Sequence, residues 1–90
     1  MHLNLQQNIQ IHSKEILQFE HVYTIKIPTL TKCECRFCAV LRMYSTLKET
    51  AEFLNIAQST AETHCRNIKR KLGITGKEHL YKYLVAINTE

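Results

Sequence analysis

The sequence predicts an all-α chain of four helices preceded by a short N-terminal extension. Three observations carry this. From residue 31 onward, apolar residues recur at three- and four-residue intervals, which gathers them on one side of a helix. A Thr or Ser is followed three residues later by Glu at Thr31 and Glu34, at Thr46 and Glu49, and at Ser59 and Glu62. That spacing lets the hydroxyl and the carboxylate each satisfy a backbone N–H at a helix start. The only Pro, Pro28, falls where the character of the chain changes.

A boundary near residues 28 to 30 divides an N-terminal extension, 1–29, from a helical domain, 30–90. Within the extension, residues 3 to 18 suit a weakly amphipathic helix. Phe19, His21, Tyr23, Ile25 and Ile27 then alternate through "FEHVYTIKI", the period of a short strand. A lone strand needs a partner, and the counterpart in a second chain would supply one. Downstream, "TKCECRFCAVLRMY" places Phe37, Val40, Leu41 and Tyr44 on one face of a first helix. A second, short helix aligns Leu47, Thr50, Ala51 and Leu54. Only "NIAQ" separates it from a third helix opening at Ser59 and closed by Gly73, so the connection is a tight turn. In "KEHLYKYLVAI" a fourth helix lines up Leu80, Tyr83, Leu84 and Ile87, with Tyr81 and Val85 as a second apolar strip.

Ninety residues make one small domain. The net charge of +4 is unevenly spread: Lys14 and Lys26 balance Glu15 and Glu20 in the first 30 residues, so the excess lies downstream. Arg66, Lys69, Arg70 and Lys71 face a single acid, Glu62, in the third helix. No apolar run is long enough to span a bilayer, and the N-terminus lacks the order of a secretory signal. A cytoplasmic protein without a membrane partner is expected, with Cys33, Cys35, Cys38 and Cys65 as reduced thiols.

On the third helix, Ala61, Cys65, Ile68 and Leu72 fall within roughly 60 degrees of one another and form a core face. Ser59, Thr63, Arg66 and Arg70 fall opposite, flanked by Glu62 and Asn67. Guanidinium, hydroxyl and amide groups in one line suit the edges of bases, while Lys69 and Lys71 reach towards phosphates. Charged outward faces are commonly only solvated. Here, however, the short helix and tight turn before it make a helix-turn-helix pair, whose second helix enters the major groove. Ser59 and Thr60 also line the helix start, where backbone N–H groups attract phosphate.

The stretch "LTKCECRFCAVLRMYSTLKETAEFLNIAQSTAETHCRNIKRKLGI" resembles the DNA-binding domain of LuxR-type (GerE-like) bacterial transcription regulators. Leu30, Thr31, Glu34, Lys48, Glu49, Ala51, Leu54, Ile56, Thr60, His64, Asn67, Ile68, Lys71, Leu72 and Gly73 match that pattern without a gap. Cys33, Tyr44, Thr50, Ala57 and Ala61 depart from it. Ala57 removes the usual cap of the recognition helix, for which Ser59 would substitute at a shifted start, and Thr50 with Ala61 thins the contact between the motif helices.

The resemblance implies a regulator of transcription that binds double-stranded DNA as a homodimer through the fourth helix, at Tyr81 and Val85. Expected base contacts are Glu62, Thr63, Arg66 and Arg70; expected phosphate contacts are Lys48, Ser59, Thr60, Asn67, Lys69 and Lys71. Glu62 either accepts from a cytosine amino group or caps the helix, and the cap is favoured. Another transcription regulator or RNA polymerase is a further candidate partner. The rival from a different class is a helix-turn-helix-shaped interaction module that blocks another regulator without binding DNA. A sigma-factor-like promoter module shares the early motif but not the Lys-Leu-Gly ending. The first 29 residues are too short for an attached sensor domain, so the chain reads as a stand-alone regulator or a fragment, and Met1 favours the former.

Cys33, Cys35 and Cys38, with His64 and Cys65, raise a metal reading. On a helix the three thiols scatter over about 180 degrees, so no metal site is expected. Cys35 is expected to be exposed, His64 to pack beside the motif. No triad or phosphate-cradling loop is present, so neither an enzyme nor a cofactor is predicted.

Overall fold

A computed structural model of the chain describes residues 2–74 and 79–87, with side chains from residue 13 onward. The elements are α1 (His2–Lys26), α2 (Lys32–Tyr44), α3 (Leu47–Leu54), α4 (Gln58–Leu72) and α5 (Leu80–Ala86). The all-α expectation holds, with one helix more than the four of the domain.

The extra helix corrects the reading of residues 19–27 as a strand: α1 runs without a break to Lys26. No Gly or Pro interrupts the chain before Pro28, which disfavours helical backbone at Ile27 and so ends α1 there. Although Phe19, Tyr23 and Ile27 belong to the alternating pattern, they also recur every four residues. With Ile16 and Val22 they pack into the core, while Ile25, which a strand would keep in line with them, is 62% exposed. Burial against α2 decides between two periods that the same residues satisfy.

α2 is the centre of the molecule. Cys35, Phe37, Cys38, Ala39, Val40 and Leu41 are all buried, more than one helix face, because α1 covers one side while α3, α4 and α5 cover the others. Across the α1 contact, the Arg42 guanidinium lies 4.1 Å over the Phe19 ring, Phe19 stacks on Tyr23, and Arg36 pairs with Glu20 at 3.6 Å. The expected exposed Cys35 is therefore buried beneath α1, and burial pushes its thiol pKa up. Cys38 is shifted the same way, so both thiols stay protonated and unreactive near neutral pH. Cys33 is the exposed thiol of this helix.

Both predicted starts at Thr31 and Thr46 form. Thr31 accepts the Glu34 N–H while Glu34 accepts the Thr31 N–H at 2.8 Å. At α3, Thr46 accepts the Glu49 N–H and donates its hydroxyl to the Glu49 carboxylate at 3.0 Å. Thr50, fully buried, donates to the Thr46 carbonyl at 2.7 Å, so its polar atom is satisfied inside the motif. After α3, Asn55 adopts left-handed backbone at φ 58°, and the Ile56 N–H closes the turn on the Ala51 carbonyl at 3.0 Å.

α4 starts earlier than predicted. Ala57 is its N-terminal boundary residue and makes no side-chain cap bond, which overturns both the Ser59 cap and the capping role favoured for Glu62. The turn closed by Asn55 and Ile56 brings the chain into helical register by Gln58, so Ser59 already lies inside. Ala61 and Ile68 are fully buried and Cys65 and Leu72 pack at the edge of the core, as the helical wheel requires. Gly73 ends α4 at φ 73°.

Two long-range contacts fix the ends of this arrangement. Lys71, in the last turn of α4, donates to the same Glu34 oxygen that caps α2, at 2.7 Å. Tyr23 of α1, 1% exposed, donates its hydroxyl to the Leu84 carbonyl of α5 at 3.0 Å. In α5, Leu80 and Leu84 are buried and Ile87 packs against the core, but Tyr83 is 39% exposed rather than part of the predicted stripe. Two turns of helix leave room for only a narrow buried face. The predicted start of this helix at 77 and 78 lies outside the described residues.

Removing the Tyr23 hydroxyl takes one donor from a buried carbonyl, so Tyr23→Phe should cost about 1 kcal/mol in chemical denaturation and Tyr23→Ala about 3–5 kcal/mol. Burial raises the Glu34 pKa, but hydrogen bonds from Lys71 and Thr31 outweigh it and hold the carboxyl below its ordinary value of 4.5. The depressed value means the carboxylate stabilises the fold above 4.5 and that this is lost as pH falls through the lower folded value. Glu34→Gln should cost roughly 1–3 kcal/mol near pH 7 and much less near pH 3, and an equal deficit at both would contradict the pairing.

Candidate nucleic-acid interface

The exposed side of α4 is built from its opposite face inward. Ala61 and Ile68 fix the helix rotation by burial, and the His64 ring adds a contact 5.5 Å from the Phe37 ring. With rotation fixed, Ser59, Glu62, Thr63, Arg66 and Arg70 are all exposed. Steps of four, three and four residues from Ser59 through Thr63 and Arg66 to Arg70 set them in one line along the helix.

Local hydrogen bonds shape what this line offers. The Thr63 hydroxyl donates to the Ser59 carbonyl at 3.1 Å, which uses its one proton and leaves oxygen lone pairs outward. Thr63 thus presents an acceptor, matched to the amino group of adenine or cytosine. Arg70 donates to the Asn67 side-chain carbonyl at 3.2 Å. That bond steadies the guanidinium and leaves the Asn67 amide N–H groups as donors. Sequence pattern alone showed these residues side by side but not these bonds.

The expected phosphate contacts divide. Lys48 and Thr60 are exposed at the starts of α3 and α4, and Asn67 and Lys69 are half-buried along α4. With no side chain capping α4, its first-turn N–H groups gain no acceptor from Ala57. Lys71 differs, because one of its donors is given to Glu34 and its side chain is 31% exposed. Glu62 is exposed on the flank of this line as its one neighbouring acid on α4.

Tyr81 and Val85, expected at a dimer contact, separate in burial. Val85 is 41% exposed, while Tyr81 is half-buried and borders a pocket with Leu41, Leu47, Cys65 and Leu80. That pocket, about 190 Å³, falls below the range of roughly 300–1,000 Å³ that small-molecule sites occupy. Burial raises the Cys65 thiol pKa against the opposing pull of Lys69 and Arg66. Among the described residues, no three His, Cys, Asp or Glu side chains are grouped to hold a metal ion. Among them, too, no helix is long and apolar enough to cross a membrane.

The family model described as bacterial regulatory proteins, luxR family, matches residues 28–84. Over 36 residues, 40% of this chain, the sequence is 56% identical to the transcriptional regulatory protein MctR of Rhizobium johnstonii (strain DSM 114642 / LMG 32736 / 3841). The match spans 17% of that relative's length. No solved structure matches the chain significantly. The family match begins at the turn that ends α1 and runs through the capped α2, the α3–α4 motif and the buried turns of α5; the chain belongs to the luxR family of bacterial regulatory proteins.

Proposed function

We propose that the chain is a sequence-specific regulator of transcription that binds double-stranded DNA as a homodimer, with α4 inserted in the major groove. One observation carries this reading: Ser59, Thr63, Arg66 and Arg70 form an exposed line directly behind the buried Ala61 and Ile68, on the second helix of the motif.

In the groove, Arg66 and Arg70 have the fork geometry for guanine O6 and N7, and Thr63 offers its acceptor to an amino group. Glu62, released from a capping role by the early helix start, suits the amino group of cytosine. Around them, Lys48, Ser59, Thr60, Asn67 and Lys69 meet phosphates, with the uncapped N–H groups of α4 directed the same way. Lys71 adds charge at the far end while tied to Glu34. The dimer contact falls on the exposed part of α5, Val85 with the rim of Tyr81, and the site of action is the cytoplasm.

The exposed Glu62 carboxylate also favours a second reading, in which the motif binds another regulator and blocks it, because an acid repels phosphates. Selection of bound duplexes from a random pool separates the two. DNA reading requires an enriched sequence with two-fold symmetry, and an unenriched pool would leave the blocking role.

On the selected duplex, Arg66→Ala should lose roughly 1–3 kcal/mol and relax the choice at one base pair, whereas Lys69→Ala should weaken selected and random duplexes about equally. Equal losses on both duplexes for Arg66→Ala would remove its assigned role.

A further inference from the structure

Two cations in the last turn of α4 are held in opposite ways. Lys71 donates to the Glu34 carboxylate at 2.7 Å, so its positive charge is offset within the protein. Arg70 donates from Nη1 to Oδ1 of Asn67 at 3.2 Å, and that acceptor is neutral. Arg70 has no carboxylate partner among the described residues. A neutral acceptor restrains a guanidinium while leaving its charge available to an outside partner.

The restraint runs from Asn67 to Arg70. Asn67 is half-buried beside the fully buried Ile68, and its side chain is short; Arg70 is long and exposed. Residues three apart are neighbours on a helix surface, so the bond lays the Arg side chain back along α4. Because it engages Nη1, the edge formed by Nε and Nη2 stays open, and that edge is a fork for guanine O6 and N7. On the Asn67 side only the carbonyl is engaged, so the amide N–H groups can still donate to a phosphate.

We propose that Asn67 is a positioning residue, whose carbonyl holds Arg70 for a guanine in the major groove while its amide donates to the neighbouring phosphate. This rests on the proposed reading of DNA by α4. It turns Asn67 from a phosphate contact alone into the group that sets the base preference of Arg70.

Selection of bound duplexes from a random pool, run on the full chain and its variants beside anisotropy titrations and thermal melts, tests it. Arg70→Ala identifies the base pair that Arg70 reads, as the guanine preference this variant loses. Asn67→Ala should weaken that same preference at least about threefold and leave the preference set by Arg66 in place. Asn67→Asp keeps the acceptor but loses the amide donors, so it should retain the preference while binding selected and random duplexes more weakly alike. In the Arg70→Ala background, Asn67→Ala should alter no base preference further. Equal losses on selected and random duplexes for Asn67→Ala, with the Arg70 guanine still preferred, would overturn the positioning role and leave a phosphate contact. Loss of the Arg66 preference as well would mark a general disturbance of α4 and overturn it too. An Arg70→Ala variant that loses no base preference would overturn the inference while α4 still reads DNA, whereas a wild-type pool with no enriched sequence would overturn the reading by α4 and the inference with it.

Discussion

One carboxylate oxygen of Glu34 joins the start of α2 to the end of α4. It accepts the Thr31 N–H, which starts α2, and the Lys71 ammonium, which holds the last turn of α4. The side chain is 11% exposed, so the charge needs both partners to offset its desolvation. Fixing α4 at this point, together with the burial of Ala61 and Ile68, sets which residues face outward. A recognition surface depends on such rigidity, because a few degrees of helix rotation move an Arg tip by more than a hydrogen bond tolerates.

α2 receives this junction at the centre of the molecule, with α1, α3, α4 and α5 packed around it. α1 supplies the cover on one flank through Ile16, Phe19 and Tyr23, and the Tyr23 hydroxyl carries the connection across to the α5 backbone. The helix that precedes the family match is thus part of the same core and reaches the element expected at the dimer contact. In a chain this small, with little core to spare, an added helix over α2 raises the buried apolar area of the domain.

Local patterns in the sequence were the legible part. The Thr31 and Thr46 starts, the tight turn and the buried face of α4 each follow from contacts within one or two turns of helix. The same logic failed at Ser59 and Glu62, where the capping spacing is present but the turn closed by Asn55 and Ile56 has already begun the helix. Residues 19–27 were misread because Phe19, Tyr23 and Ile27 satisfy a period of two as well as a period of four. Only the surface of α2, distant in sequence, decides between them. The burial of Cys35 and the bond between Lys71 and Glu34 were hidden for the same reason: each depends on which helix arrives from elsewhere.

The interface chemistry is a balance between one acid and several donors. In the proposed DNA complex Glu62 would disfavour phosphate at the middle of the face, while the uncapped start of α4, Lys48 and Lys69 would favour it at the edges. Affinity as a function of salt weighs these directly. Fluorescence anisotropy with a selected duplex should give an observed affinity falling linearly with log salt, with a slope of about −0.9 for each phosphate neutralised. A steep negative slope is the expected result; binding that ignores salt, or no binding to any duplex, would contradict α4 as a DNA-reading helix.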